Sequence, residues 1–155
     1  MKYRQLTKEQ FEALHKEFAT FLATQSIDSK EWNDIKQNKP KVAEEELNIF
    51  SDLVWDDVLT KTKYLEHYSK THLNIFKCKE DVLERIFIKV TSDINLLKED
   101  GFNWLMKNPQ DNAVEIYKGS KAFQEERNIE LFKLIEQGAI ISKGEIFEYF
   151  KKITS

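Results

Sequence analysis

The sequence predicts an α+β fold: N-terminal helices, a small, mostly antiparallel three-stranded sheet, and a C-terminal helical pair. Apolar residues recur at helical spacing in roughly the first sixty residues and again after Lys121, while the stretch between them is rich in short β-branched and aromatic runs. Helices flank the strands instead of alternating with them, which is the pattern of α+β and not of a parallel α/β sheet. Only 4 Gly and 2 Pro occur in 155 residues, too few to punctuate a many-stranded sandwich.

The elements follow in order. Thr7 with Gln10 makes a capping box, so a helix starts there. Phe11, Leu14, Phe18, Phe21 and Leu22 then share one arc of that helix to about Thr24. Asp28 or Ser29 caps a second helix carrying Trp32 and Ile35. Pro40 suits the first turn of a third, because its missing N–H has no helical partner there anyway; this helix is expected from Lys41 to about Thr62. Leu73–Cys78 and Arg85–Val90 read as a β-hairpin around Lys79–Asp81, with Ile86, Ile88 and Val90 on one face. Asp93–Phe102 reads as loop with Gly101 as breaker, and Trp104–Met106 as one helical turn. Val114–Lys118 reads as the third strand, ended by Gly119-Ser120. A helix is expected from Lys121 through Leu131, Leu134 and Ile135, with Gly138 just past its end. Ser142 with Glu145 suggests a capping box opening the last helix, which carries Phe147 and Phe150.

Composition bounds the function. The 19 Phe, Tyr and Trp residues and a hydrophobic share of 41% exclude a disordered chain. A length of 155 residues suits a single globular domain spanning residues 1–155. No apolar run reaches the roughly 20 residues of a membrane span. The N-terminus lacks the apolar segment of a secretory signal, and Cys78 is alone, so a cytoplasmic location is expected. The net charge of −3 disfavours nucleic acid as a partner. The charge is uneven: residues 31–60 hold three basic against eight acidic residues, and residues 61–90 seven against four.

The third helix supplies the first candidates. On a helical wheel Ala43, Leu47, Ile49, Phe50, Leu53, Val54 and Val58 fill an apolar half, into which Glu46 and Asp57 intrude. These two acids lie roughly 16 Å apart along the axis, too far for a paired-carboxylate site. Trp55 and Leu59 fall on the polar half, one turn apart, beside Asp52 and Asp56. An exposed Trp–Leu pair with an acidic border is a partner-binding anchor. Glu45, Asp52 and Asp56 form a stripe that offers oxygen ligands to a divalent cation, though from one side only.

The basic stretch supplies the second. Lys61, Lys63 and Lys70 interleave with Tyr64 and Tyr68, and cations with stacking rings hold single-stranded RNA. His67, His72 and Cys78 lack paired metal-ligand spacing and read as two surface histidines and a buried thiol. No phosphate loop and no nucleophile elbow occur.

Met1–Glu9, Ala43–Trp55, Tyr64–His67 and Gly138–Ser142 taken together resemble a family of small bacterial proteins of unknown function. The resemblance spans nearly the full length and implies one domain; it brings no activity. The sequence therefore leads to a non-enzymatic, cofactor-free adaptor or regulatory domain, a monomer or weak homodimer with a protein partner. A divalent-metal enzyme and a single-stranded RNA binder are the alternatives.

Overall fold

The structure, a computed structural model, describes all of residues 1–155. It is α+β, with seven helices and a five-stranded sheet, and it divides into two compact units, Met1–Thr60 and Lys61–Ser155. No helix is long and apolar enough to cross a membrane.

The first unit holds α1 (Lys8–Ala13), α2 (His15–Ala23), α3 (Ser29–Asn38) and nearly all of α4 (Pro40–Lys61). The Thr7–Gln10 capping box forms in full. The expected continuous first helix breaks at Leu14, whose φ of −106° and ψ of 23° leave the helical region. Its apolar arc survives the break. Phe18 is the hub of a ring cluster, 5.0 Å from Phe50, 5.2 Å from Trp32 and 5.8 Å from Phe11. Asp28 caps α3 by accepting from the Glu31 N–H at 2.8 Å. Pro40 opens α4 as its ring geometry predicts.

In α4 the buried face differs from the expected one. Ala43 and Phe50 are buried on one stripe, whereas Ser51, Trp55 and Leu59 are buried on a second, spaced by four residues. The two stripes are about 100° apart around the axis. Ile49 and Leu53, expected inside, are 51% and 54% exposed. A wheel drawn over the whole helix averages these stripes into one half and misplaces both ends. Residues 2–6 lie along the second stripe. The Leu6 N–H donates to Ser51 Oγ at 3.0 Å, the N–H groups of Lys2 and Tyr3 donate to Asp52, and Arg4 stacks 5.1 Å over the Trp55 ring.

The second unit is built on a sheet of order β4-β3-β2-β1-β5, antiparallel throughout. Its strands are β1 (Tyr64–Tyr68), β2 (His72–Cys78), β3 (Val82–Val90), β4 (Val114–Ala122) and β5 (Ile140–Ser142), with α5 (Glu99–Lys107), α6 (Arg127–Glu136) and α7 (Glu145–Ile153). The predicted hairpin is present as β2 and β3, turning at Lys79–Asp81. The expected three strands are five. β1 was hidden because its alternation places Glu66 on the core face, where it is 6% exposed and accepts the Tyr68 hydroxyl at 2.6 Å. β5 has only three residues, yet its pairing with β1 removes Ser142 from the expected capping role. α7 starts instead after Gly144, held at φ 85°. The C-terminal helical pair is thus α6 and α7 with a strand between them, and α6 begins at Arg127 because β4 runs through Gly119-Ser120 to Ala122.

One sheet face carries the core. Leu73, Ile75, Ile86, Ile88 and Val90 pack with Leu96, Leu105, Phe147 and Phe150, and the last is fully buried. Fully burying such side chains is worth roughly 1.5–3 kcal/mol each, which commits this face to α5 and α7.

Candidate functional site

The other face alternates with the core face. β3 reads Leu83, Arg85, Phe87, Lys89 on it, of which only Leu83 is buried. The strand register carries these positions across the sheet. His67, Asn74, Phe87 and Tyr117 stand in one row; Phe76, Arg85 and Gly119 in the next; and His72, Lys89 and Glu115 on the other side. Leu65, Phe76, Cys78 and Leu83 are buried at one end of this face, while Tyr117 remains 56% exposed at the other.

The open part is aromatic and cationic. The Phe87 ring lies 5.3 Å from the His72 ring and 6.1 Å from the Tyr117 ring. The Arg85 guanidinium sits 5.2 Å over Phe87 and donates through Nε to Asn74 Oδ1 at 2.8 Å. Its two terminal nitrogens have no acceptor in the protein, so a guanidinium held at Nε keeps its donor fork unpaired. At Gly119, opposite Arg85, an added Cβ would meet nothing within 4 Å, so the backbone there is bare sheet surface. Arg85, Lys89 and Lys121 bring positive charge to this face. Glu115 opposes Lys89, and Glu130 of α6 reaches Lys121 at 3.7 Å. A groove of about 690 Å³ opens beside the row, lined by His67, His72, Asn74, Arg85, Lys121 and Gln137 among others.

The residues expected to form sites lie elsewhere. Trp55 and Leu59, expected as exposed anchors, are 8% and 0% exposed. They belong to the second buried stripe of α4, and the Trp55 ring is covered by Arg4. Asp52 and Asp56 take donors from the chain itself: the N–H groups of Lys2 and Tyr3 go to Asp52, and the Tyr3 hydroxyl and Lys2 Nζ go to Asp56. Glu45 is exposed on the same helix, and no group of three or more His, Cys, Asp or Glu side chains converges as metal ligands. Glu46 accepts from Gln25 at 2.7 Å, and Asp57 is exposed.

The expected RNA-binding set is also separated. Tyr64 and Tyr68 sit on the core face, their rings 5.9 Å from Phe147 and 6.1 Å from Phe102, on the opposite side of the sheet from Arg85 and Phe87. Lys63 and Lys70 flank β1 and Lys61 ends α4. Cys78 is buried as expected, and burial pushes its thiol up to about 12, against the smaller opposite effect of Arg127.

The Tyr3 clasp has a measurable consequence. Burial, then the hydrogen bond to Asp56, raises the Tyr3 phenol from 10 to about 12, and burial with the Glu66 hydrogen bond raises Tyr68 in the same direction. A phenol raised in the folded state contributes stability that is complete below its unfolded value and lost as pH climbs through its folded one. Stability is therefore expected to fall between pH 10 and 12. Tyr3→Phe should flatten that fall, read by urea unfolding at several alkaline pH values; an equal slope in the variant would refute the clasp.

Sequence reasoning missed the open face because its residues come from four strands and no local motif joins them. The available signal was the second parity of β3: once Ile86, Ile88 and Val90 face the core, Arg85, Phe87 and Lys89 must face away. No curated protein and no solved structure matches the chain. The model of a family of unknown function (DUF6495) matches residues 1–155, and over that whole length the chain belongs to this family.

Proposed function

We propose that the protein binds single-stranded RNA across the open sheet face, with bases stacked on Phe87 and Tyr117 and the backbone held by Arg85. The observation that supports this is the row of rings with a tethered guanidinium, its terminal nitrogens unpaired, on exposed antiparallel sheet. Unpaired bases stack on aromatic side chains and on Arg planes, and an exposed sheet is a platform that spaces such rings. The net charge of −3 limits the long-range attraction, so stacking must supply much of the affinity.

Fluorescence anisotropy with a labelled single-stranded RNA oligonucleotide tests the reading. Stacking is worth about 1–3 kcal/mol per base, so Phe87→Ala and Tyr117→Ala should each weaken binding about 5- to 150-fold. With Lys89 opposed by Glu115 and Lys121 paired with Glu130, a shallow salt slope of roughly −1 to −2 is expected for a single strand. Absence of binding at low salt, or equal binding by both variants, would refute the proposal.

A second reading, a protein partner, is supported by a separate feature. Val42, Ile49 and Leu53 form an exposed apolar stripe on α4, 39%, 51% and 54% exposed, at spacings of seven and four. Such a stripe fits the groove of a helix-binding partner.

A further inference from the structure

We infer that the groove beside the aromatic row is a metal-independent RNA-cleaving site, with His67 and His72 as its acid–base pair acting on a phosphodiester. This rests on the RNA-binding reading above. Both histidines line the same groove with Arg85 and Lys121. His67 of β1 stands opposite Asn74 of β2, and His72 lies two residues from Asn74 on the same face. That diagonal places their Cα atoms roughly 7–8 Å apart, with the His67 ring leaning toward Gly138 and the His72 ring toward Phe87, so a phosphate would sit between two rings held on different neighbours.

The rings are differently held. His72 packs on Phe87, and its Nδ1 lies 3.3 Å from the Thr71 hydroxyl. His67 leaves both ring nitrogens without a protein partner and leans on Gly138, where an added Cβ would lie 3.2 Å from Nε2. The Arg85 fork, anchored at Nε, is free to take the non-bridging phosphate oxygens of a strand stacked on Phe87.

In-line displacement at phosphorus sets the attacking and leaving oxygens on opposite sides, so two groups flanking the phosphate divide the proton transfers. One neutral imidazole takes the 2′-hydroxyl proton as O2′ bonds to phosphorus. The other, as imidazolium, gives its proton to the 5′ oxygen as the P–O5′ bond breaks. The products are a 2′,3′-cyclic phosphate and a free 5′-hydroxyl. Nothing is oxidised or reduced, and proton exchange with water restores both imidazoles. Arg85 offsets the added charge on phosphorus.

The test incubates the full chain with a 5′-labelled RNA oligonucleotide and the all-deoxy oligonucleotide of the same sequence, with chelator present. Wild type, His67→Ala and His72→Ala are purified identically and checked by circular dichroism. Expected are cleavage of RNA to a cyclic-phosphate end, no cleavage of the deoxy strand, and at least about 100-fold slower cleavage by each variant when compared at protein concentrations that saturate the RNA. RNA bound but uncleaved by wild type would overturn the cleavage inference and leave the binding reading standing. Equal cleavage by wild type and both variants would overturn it as a contaminating nuclease. RNA neither bound nor cleaved would overturn both.

Discussion

Leu59→Ala is expected to cost about 2–5 kcal/mol of unfolding free energy, the range for emptying a fully buried leucine site. Leu59 is 0% exposed near the C-terminal end of α4, one turn beyond Trp55 at 8%. The truncation loses transfer free energy and leaves a void that close-packed neighbours fill only in part. Substitution of an exposed residue would stay within about 0.5 kcal/mol, so the two placements of this residue predict outcomes several-fold apart. At this chain length each kcal/mol shifts the melting temperature by roughly 2–4 °C, so a fall of about 4–20 °C is expected. Urea unfolding with an unchanged slope measures it directly. A cost below about 1 kcal/mol would put Leu59 at the surface and restore α4's second stripe as a docking face.

Gly101→Ala is expected to destabilise by about 2 kcal/mol or more, although alanine is the better helix former by about 1 kcal/mol. Gly101 lies in the first turn of α5, and an added Cβ would stand 2.0 Å from the Asn95 carbonyl oxygen and 2.7 Å from its carbon. The clashing atoms are backbone, so no rotamer change relieves them. The segment cannot retreat cheaply either. The Asn95 carbonyl accepts from the Lys98 N–H at 3.1 Å, and the next residue, Leu96, is 3% exposed in the core and donates its N–H to Lys70. Moving the turn would pull Leu96 out of that core. Thermal unfolding of the variant decides the sign: a gain in stability would mean that propensity outweighs packing here and that the segment around Asn95 is free to move.

Gly101 shows how far local reading carries. Read as a loop breaker, it is a helical residue chosen for close approach, and the approach comes from a backbone segment six residues earlier. The Thr7–Gln10 box, the Asp28 cap and Pro40 were all legible because each depends on hydrogen bonds or dihedrals within one turn. The β2–β3 hairpin was legible because its turn and its period of two are local. β1 was not, because Glu66 breaks its apolar alternation and is accommodated by Tyr68 after folding. Ser142 and Glu145 have capping-box spacing, but the pairing of Ser142 with Tyr64 in the sheet outcompetes the cap.

The sequence by itself determined the α+β class, the helices on either side of the sheet, the β2–β3 hairpin, the phenylalanine arc of the first unit and the buried thiol. These follow from the 3.6 and 2.0 residue periods and from composition, which act through neighbours in the chain. Tertiary structure alone decided that Trp55 and Leu59 are buried, that Asp52 and Asp56 hold the N-terminal segment, and that Arg85, Phe87, Tyr117, His67 and His72 share one open face. The reason is that burial and cross-strand register are properties of pairs of elements distant in the chain. Shifting one strand by a single residue would exchange the basic, aromatic face for the core face without changing any local preference.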